Sequence, residues 1–222
     1  LANRLLLSNM RKPNTMGNGR RCLSFIGRNI AKSYAAGRVF NNEGASLAEK
    51  NSQGMVQVFT GNGKGKTSAA LGAIVRAIGH GWRVCIIFFM KGKYPYGEFS
   101  TLSKLPNVDV ASFGLRCFTF ACPKPEEIEE AKLALSAARE AMLNGKYDLV
   151  VLDEVNIATA KKLLELNEEV RLISDRPQNV ELILTGRQAD AKIIEMADMV
   201  TEMVKLKHPY DKGIPARKGI EY

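Results

Sequence analysis

The stretch MVQVFTGNGKGKTSAAL, residues 55–71, contains the pattern that decides the fold. Its first part, residues 56–60, alternates β-branched side chains with other residues and predicts a short strand. Three glycines within the following five residues lack a Cβ and so permit a tight turn. From Lys66 onward, small and apolar residues recur at helical spacing. The stretch therefore predicts a strand, a glycine-rich loop and a helix in that order.

This order of elements predicts a site that binds phosphate groups. The N–H groups of the loop and the positive end of the helix favour an anion, and Lys66 and the Thr67 hydroxyl reach phosphate and Mg²⁺. The alternative is a glycine-rich turn that only joins a strand to a helix, and the Lys-Thr pair at the helix start argues against it. The usual motif has a glycine where this chain has Thr60, so the first glycine is displaced to Gly61.

The composition allows one sizeable α/β core, since 45% of the 222 residues are hydrophobic. The net charge is +9, but it is unevenly distributed. Residues 1–50 hold nine basic and two acidic side chains, whereas residues 51–222 hold 23 basic and 21 acidic side chains. The folded part is thus nearly neutral, which gives little support to a nucleic-acid-binding function.

Residues 1–50 form a basic N-terminal extension that has no acidic side chain before Glu43. Its segments 1–7 and 24–40 each suit a basic amphipathic structure. This pattern is typical of a transit peptide, so we expect import into a mitochondrion or a plastid. The alternative is a disordered basic tail, such as an arm that binds nucleic acid.

Cysteine usage and hydropathy exclude two further classes of protein. The four cysteines form no C-x-x-C pair and there are only two histidines, so we expect no zinc site and a reducing compartment. The longest apolar run, Val84–Met90, is too short to span a bilayer, so we expect no membrane partner.

The remaining pattern predicts five further strands and a long helix from Pro125 to Gly145. The predicted strands are residues 83–90, 108–112, 147–154, 179–185 and 199–206. The first of these is apolar almost throughout, as is typical of a parallel sheet that is covered on both faces. We therefore expect one α/β domain at residues 51–222, with a mostly parallel sheet of about five or six strands between two helical layers.

Two adjacent carboxylates, Asp153 and Glu154, follow the buried run before them. A phosphate-loop protein places the acid that holds Mg²⁺ at such a strand end, directly or through water. An Asp-Glu pair alone is more often a solvated strand end. Downstream of a phosphate loop, at this separation, it indicates a magnesium site.

Several stretches together resemble the ATP:corrinoid adenosyltransferase family, which acts on cob(I)yrinic acid a,c-diamide or cob(I)alamin and has a phosphate-loop NTPase-like fold. They occur in the family's order and span residues 54–222. The stretches are FTGNGKGKTSAALG, RAIGHGWRV, FMKG followed by GE, DLVVLDE, ELILTGR and KHPYDKGIPARKGIEY. The displaced glycine at Gly61 is itself a feature of the family. Residues 1–50 lie outside the resemblance.

The resemblance implies that the chain transfers the 5′-deoxyadenosyl group of ATP to the Co(I) of a corrinoid, with triphosphate as the leaving group. The residues that it assigns to the ATP phosphates are Asn62, Gly63, Lys64, Gly65, Lys66, Thr67 and Ser68. It further implies that Thr67 and Glu154 hold Mg²⁺ with Asp153 in support, so that Lys66, Thr67 and Glu154 form the catalytic group. Three residues are expected to approach the nucleotide: Arg76, Arg187 and His208.

The resemblance assigns Phe118 and Phe120 to the corrinoid, where aromatic rings help to remove the lower cobalt ligand before reduction. The family has Phe-Thr-Trp at this place and this chain has Phe-Thr-Phe, so the indole is lost and an apolar ring is kept. The departure puts the rate or the preferred corrinoid in doubt, not the fold. The alternative is that both rings belong to the core.

The expected partners are the corrinoid, a flavoprotein reductant and a second copy of the chain in a homodimer, with no nucleic acid. The chemistry agrees with this expectation, because Co(I) is already a strong nucleophile and requires no general base. Two alternatives stay open: an ATP-dependent nucleic-acid module or ATPase, and a corrinoid- or ATP-binding protein without transferase activity.

Overall fold

Six parallel strands form one sheet in the computed structural model, which describes residues 53–92, 96–115 and 123–222. The strands are β1 (Val56–Thr60), β2 (Val84–Phe88), β3 (Val108–Ser112), β4 (Leu149–Asp153), β5 (Glu181–Thr185) and β6 (Met199–Glu202). Their order across the sheet is β3-β2-β4-β5-β1-β6. Because every pairing is parallel, all six strands end at the same edge of the sheet.

Helices follow most of the strands in the described residues. They are α1 (Lys66–Gly79), α2 (Gly97–Leu102), α3 (Pro125–Leu143), α4 (Val155–Ala160), α5 (Leu166–Ser174) and α6 (Ala191–Met196), with a 3₁₀ turn at Pro209–Lys212. None of the helices in these residues is long and apolar enough to cross a membrane. The connection of parallel strands through helices is the arrangement expected of an α/β fold.

The sheet separates two apolar cores. Strand β2 contributes Val84, Ile86 and Phe88 to the core that contains α1 and α2. Its alternate residues, Cys85 and Ile87, belong to the core that contains α3 to α6. Since successive side chains of a strand point to opposite faces, both faces of the sheet are covered. The three-layer α/β fold predicted from the sequence is thereby confirmed.

The described structure differs from the predicted limits of four strands: β4 and β5 each begin two residues later than predicted, and β2, β4 and β6 end earlier. The structure has β2 at Val84–Phe88 and β6 at Met199–Glu202, whereas the apolar runs continue for several residues beyond both. After Glu202 the chain turns toward the phosphate loop, because the Met203 carbonyl oxygen accepts a hydrogen bond from the Gly63 N–H. The hydrophobicity of the sequence does not show that the strand ends at Glu202 and that Met203 bonds to the phosphate loop.

Candidate functional site

The phosphate loop, residues 61–65, connects β1 to α1 at the edge where the strands end. Gly61 and Gly65 have φ values of +94° and +122°, a backbone region that favours glycine. The loop also lies against the chain after β6, since the Gly63 N–H lies 2.6 Å from the Met203 carbonyl oxygen. A Cβ on Gly61 would lie 2.5 Å from the same oxygen. The glycine spacing is therefore required by both backbone conformation and packing.

Lys66 is buried, with 7% of its surface exposed, and its ammonium group is held by the loop itself. Its Nζ donates hydrogen bonds to the carbonyl oxygens of Gly61 at 2.9 Å and Gly63 at 2.7 Å. Burial lowers the pKa of this ammonium group, and the nearby Glu154 carboxylate opposes that effect. A positive charge is thus fixed inside the loop.

Thr67 and Ser68 lie in the first turn of α1, which has 14 residues and no side-chain cap at its N-terminus. The first N–H groups of a helix have no partner within the helix and present positive potential to an anion. Thr67, Ser68 and the loop residues from 63 to 65 line the same cleft as Lys66.

Asp153 is the last residue of β4 and is completely buried. Its Oδ1 accepts a hydrogen bond from the Thr185 hydroxyl at 2.7 Å, and its Oδ2 accepts one from Lys91 Nζ, also at 2.7 Å. Both carboxylate oxygens are therefore already engaged by side chains of the neighbouring parts of the sheet.

Glu154 has a left-handed backbone, with φ +66° and ψ +20°, and caps the start of α4. Its N–H donates to the Thr185 hydroxyl at 3.0 Å. Burial raises the pKa of its carboxyl group and the Asp153 carboxylate adds to this, whereas Lys91 and Lys66 oppose it. Within the described residues, neither carboxylate oxygen of Glu154 accepts a hydrogen bond. The Glu154 carboxyl group thus lines the cleft with lone pairs that no described residue engages.

Lys91 belongs to the site although sequence reasoning did not single it out. Its Nζ lies 3.7 Å from Glu98 Oε1 and 5.0 Å from the centre of the Phe88 ring. Burial lowers the pKa of this ammonium group, but the bonded Asp153 together with Glu154 and Glu98 more than offsets this effect, so the pKa is raised. The signal was a lysine directly after an apolar strand, where open α/β sheets bind ligands.

The carboxyl-terminal segment closes one side of the site. Lys64 Nζ donates to the Ile220 carbonyl oxygen at 2.9 Å and lies 3.0 Å from Glu221 Oε1. His208, at the start of the 3₁₀ turn, accepts a hydrogen bond through Nδ1 from the Tyr210 N–H. The segment from 207 to 222 carried the resemblance, but its contact with the loop was not predicted.

A cleft of about 440 Å³ brings most of the predicted site residues together. The predicted residues among its walls are Gly63, Lys64, Gly65, Lys66, Thr67, Ser68, Glu154, Arg187 and His208. The walls are completed by Leu71, Lys91, Gly97, Glu98 and the tail residues from 219 to 222. Asn62 is exposed in the loop and Asp153 is completely buried, and neither of them lines this cleft.

Arg76 is not brought together with these residues. It lies ten residues along α1 from Lys66, which is about 15 Å at the helical rise. It lines a separate cleft of about 300 Å³, next to Trp82 and to Glu181 at the start of β5. This cleft therefore lies toward the opposite edge of the sheet from the phosphate loop. Phe118 and Phe120 lie outside the described residues.

The parallel sheet, the glycine loop that holds a buried lysine and the carboxylate at the end of β4 define a phosphate-loop nucleotide-binding protein. Residues 52–222 match the model of the family described as ATP:corrinoid adenosyltransferase BtuR/CobO/CobP. The chain belongs to this family, and the resemblance inferred from the motifs is confirmed.

Three related proteins match the sequence of this chain over most of their own length. The corrinoid adenosyltransferase of Escherichia coli (strain K12) is 36% identical over 187 residues, which is 83% of this chain and 94% of that protein. The corrinoid adenosyltransferase of Pseudomonas aeruginosa is 37% identical over 174 residues, 78% of this chain and 86% of that protein. Corrinoid adenosyltransferase CobA of Salmonella typhimurium is 37% identical over 171 residues, 77% of this chain and 86% of that protein.

Proposed function

We propose that this chain transfers the 5′-deoxyadenosyl group of ATP to the Co(I) of a reduced corrinoid and releases triphosphate. The observation that carries the proposal is the single cleft in which the phosphate loop, Lys66, Glu154 and Arg187 meet, in a chain of the corrinoid adenosyltransferase family. The family match does not favour an ATPase or a nucleic-acid module.

The reaction is a displacement at a saturated carbon. An electron pair of Co(I) forms the bond to C5′ of ATP, and the C5′–O bond breaks with its electron pair going to the triphosphate oxygen. Negative charge therefore develops on the departing oxygens. Lys66 and the N–H groups at the start of α1 stabilise such charge because they are already fixed in place before the reaction. No proton is removed, so the reaction requires no general base.

The residues of the cleft fit Mg²⁺ when phosphate oxygens complete its ligands. No group of three or more His, Cys, Asp or Glu side chains in the described ranges is suited to hold a metal alone. Mg²⁺ is usually bound by one or two carboxylates plus substrate phosphates. Thr67 and Glu154 both line the cleft and would hold the ion, with Asp153 in support. When bound, Mg²⁺ supplies positive charge beside the triphosphate.

Phe118 and Phe120 are proposed to contact the lower face of the corrinoid, on the strength of the family resemblance. An apolar ring there excludes water from the axial position, so four-coordinate Co(II) is easier to reduce. We expect Phe120→Ala to slow the reaction that starts from Co(II) and a mild reductant, such as a flavoprotein, far more than the reaction from Co(I). Equal losses in both assays, together with a large drop in melting temperature, would mean that the rings belong to the core.

The homodimer is also a proposal, and light scattering of the purified chain would check it.

The function is tested in an anaerobic assay with the purified chain, ATP, Mg²⁺ and chemically reduced cobalamin. The expected result is the absorbance change of Co–C bond formation, with one triphosphate released for each bond. Lys66→Met is the matched control, since it keeps the length of the side chain and removes its charge. We expect it to lose roughly 100-fold or more in turnover, as when one fixed donor to a developing anion is removed. Release of ADP and phosphate without a Co–C bond would contradict the proposal.

Residues 1–50 are proposed to direct import into a mitochondrion or a plastid. This proposal is supported by the composition of the segment, which is basic and almost free of acidic side chains. A chain that begins near residue 51 should keep full activity in vitro but lose import in cells. Residence of the full-length chain in the cytosol would refute the proposal.

A further inference from the structure

The Thr185 hydroxyl connects the two carboxylate residues that follow β4. Thr185 ends β5 and is completely buried. Its Oγ1 donates a hydrogen bond to Asp153 Oδ1 at 2.7 Å and accepts one from the Glu154 N–H at 3.0 Å. One oxygen atom is thus bonded to both residues, although β4 and β5 are separate strands.

The direction of these bonds is fixed by chemistry. An ionised carboxylate only accepts hydrogen bonds, so the hydroxyl proton must point to Asp153. The lone pairs of the hydroxyl are then left for the Glu154 N–H. Lys91 holds the other Asp153 oxygen at 2.7 Å, so the carboxylate has little freedom to rotate. We call this chain of contacts the Lys91–Asp153–Thr185 network.

The Glu154 backbone needs such a restraint. Its φ of +66° lies in the left-handed region, which non-glycine residues seldom adopt and keep only when their surroundings hold them there. The packing around the end of β5 supplies part of the restraint, since a Cβ on Gly186 would lie 2.8 Å from the Ile157 N. The start of α4 is therefore pressed against the residue next to Thr185.

We infer that Thr185 is a positioning residue for the reaction and that Asp153 acts through it. The network fixes the left-handed turn at Glu154, so that the Glu154 carboxylate enters the cleft with free lone pairs while Asp153 stays behind it. The inference rests on the proposed function, because it assumes that the Glu154 carboxylate serves the metal-bound nucleotide. It assigns Asp153 to the backbone of Glu154 in place of direct contact with a metal.

The test compares Thr185→Val with Thr185→Ser in the full chain. Valine keeps the size of the side chain and removes the hydroxyl, whereas serine keeps the hydroxyl. Calorimetry of ATP binding over a series of Mg²⁺ concentrations measures the requirement for the metal without any corrinoid. We expect Thr185→Val to raise the half-saturating Mg²⁺ concentration about 10-fold or more, as is found when groups that orient metal ligands are removed. Thr185→Ser should stay within about 3-fold of the parent, well below that loss.

A second readout needs no metal. Amide hydrogen exchange at Glu154, followed by NMR in the absence of nucleotide, should become faster in Thr185→Val and stay near the parent rate in Thr185→Ser. Thr185→Ala serves the same comparison if the valine variant does not fold. Overlapping Mg²⁺ curves for the parent and the valine or alanine variant would overturn the inference, even if the melting temperature falls. Failure of the proposed function would be seen separately, as a parent that binds Mg²⁺ and ATP and forms no Co–C bond.

Discussion

Lys64 of the phosphate loop and Glu221 of the carboxyl-terminal segment are 157 residues apart in sequence, yet Lys64 Nζ lies 3.0 Å from Glu221 Oε1. Arg217 binds the same carboxylate through its backbone N–H and its guanidinium group. Hydrogen bonds from Arg217, with a further one from Lys64, lower the pKa of Glu221 to about 2. The carboxylate is therefore ionised at neutral pH, and it places a negative charge at a cleft that we propose for triphosphate.

Glu221→Gln should strengthen ATP binding a few-fold at low salt. The substitution removes a charge that repels the triphosphate and leaves Lys64 free to meet it. The effect should shrink between about 0.01 M and about 1 M salt, where the screening length falls from roughly 30 Å to roughly 3 Å. Calorimetry at both salt concentrations measures it, with Glu195→Gln as the control, since Glu195 is exposed on α6 and pairs with Lys192. Weaker binding by Glu221→Gln would instead show that the carboxylate acts by holding the tail in place.

Arg187 and Arg76 should respond differently to substitution by alanine. Arg187 lines the cleft and interacts electrostatically with Lys66 and Glu154, whereas Arg76 lines the other cleft. We expect Arg187→Ala to raise the KM for ATP about 10-fold. The reason is that one hydrogen bond to a charged group contributes about 1.4 kcal/mol or more to binding. Arg76→Ala should leave the KM unchanged. A rise in KM for Arg76→Ala, with the melting temperature unchanged, would restore Arg76 to the nucleotide site.

The phosphate loop could be predicted because its chemistry lies within one continuous stretch. The glycines, the lysine and the helix start all lie within residues 61–67, so the motif is recognised without knowledge of the contact between Gly63 and Met203. Asp153 and Glu154 were predictable for a similar reason, since an apolar run that ends in acids indicates a strand end at the ligand-binding edge. The strands of the sheet followed from apolar and β-branched runs.

The contacts of Thr185 and Lys91 with Asp153 could not be predicted, because these contacts depend on the order of strands in the sheet. Strand β4 lies between β2 and β5, so these two residues reach Asp153 from opposite sides. A lone threonine at the end of one strand carries no signal of such a neighbour. The motif that assigns Arg76 to the nucleotide does not show that Arg76 lies at the far end of α1 from the phosphate loop. The contact between the loop and the tail joins residues 156 positions apart, which no local pattern encodes.

Glu154→Gly should stabilise the fold and abolish Mg²⁺-dependent activity. Glycine adopts the left-handed conformation without the penalty of a Cβ, which is about 1–2 kcal/mol for other residues. Glu154→Ala is the matched control, because it removes the carboxylate but keeps the Cβ. Urea unfolding should give the glycine variant a free energy of unfolding about 1 kcal/mol above that of the alanine variant. Equal stabilities of the two variants would mean that Glu154 is not held in this conformation in solution.

Glu169 combines burial with an incomplete set of hydrogen bonds. It lies on α5 with none of its surface exposed, and its Oε2 accepts a hydrogen bond from the Thr159 hydroxyl at 2.5 Å. Its Oε1 has no hydrogen-bond partner in the described structure. Burial raises the pKa of its carboxyl group from 4.5 to about 7, although Thr159 opposes the shift. The folded chain therefore prefers the protonated form of this side chain.

Stability should consequently fall as the pH rises from about 4.5 to about 7. A carboxyl group whose pKa is higher in the folded state contributes its full stabilisation below the pKa of the unfolded chain, and this is lost as the pH rises through the folded value. The loss amounts to roughly 3 kcal/mol, at 1.36 kcal/mol for each pKa unit between 4.5 and about 7. Glu169→Gln has nearly the same shape as the parent side chain and no proton to lose. Between about pH 5 and about pH 8, its free energy of unfolding should therefore rise by this amount relative to that of the parent. Urea unfolding of both chains at the two pH values measures the difference, from which other titrating groups cancel. Parallel stability curves would show that the carboxyl group titrates normally, and that the fold opens enough to hydrate it.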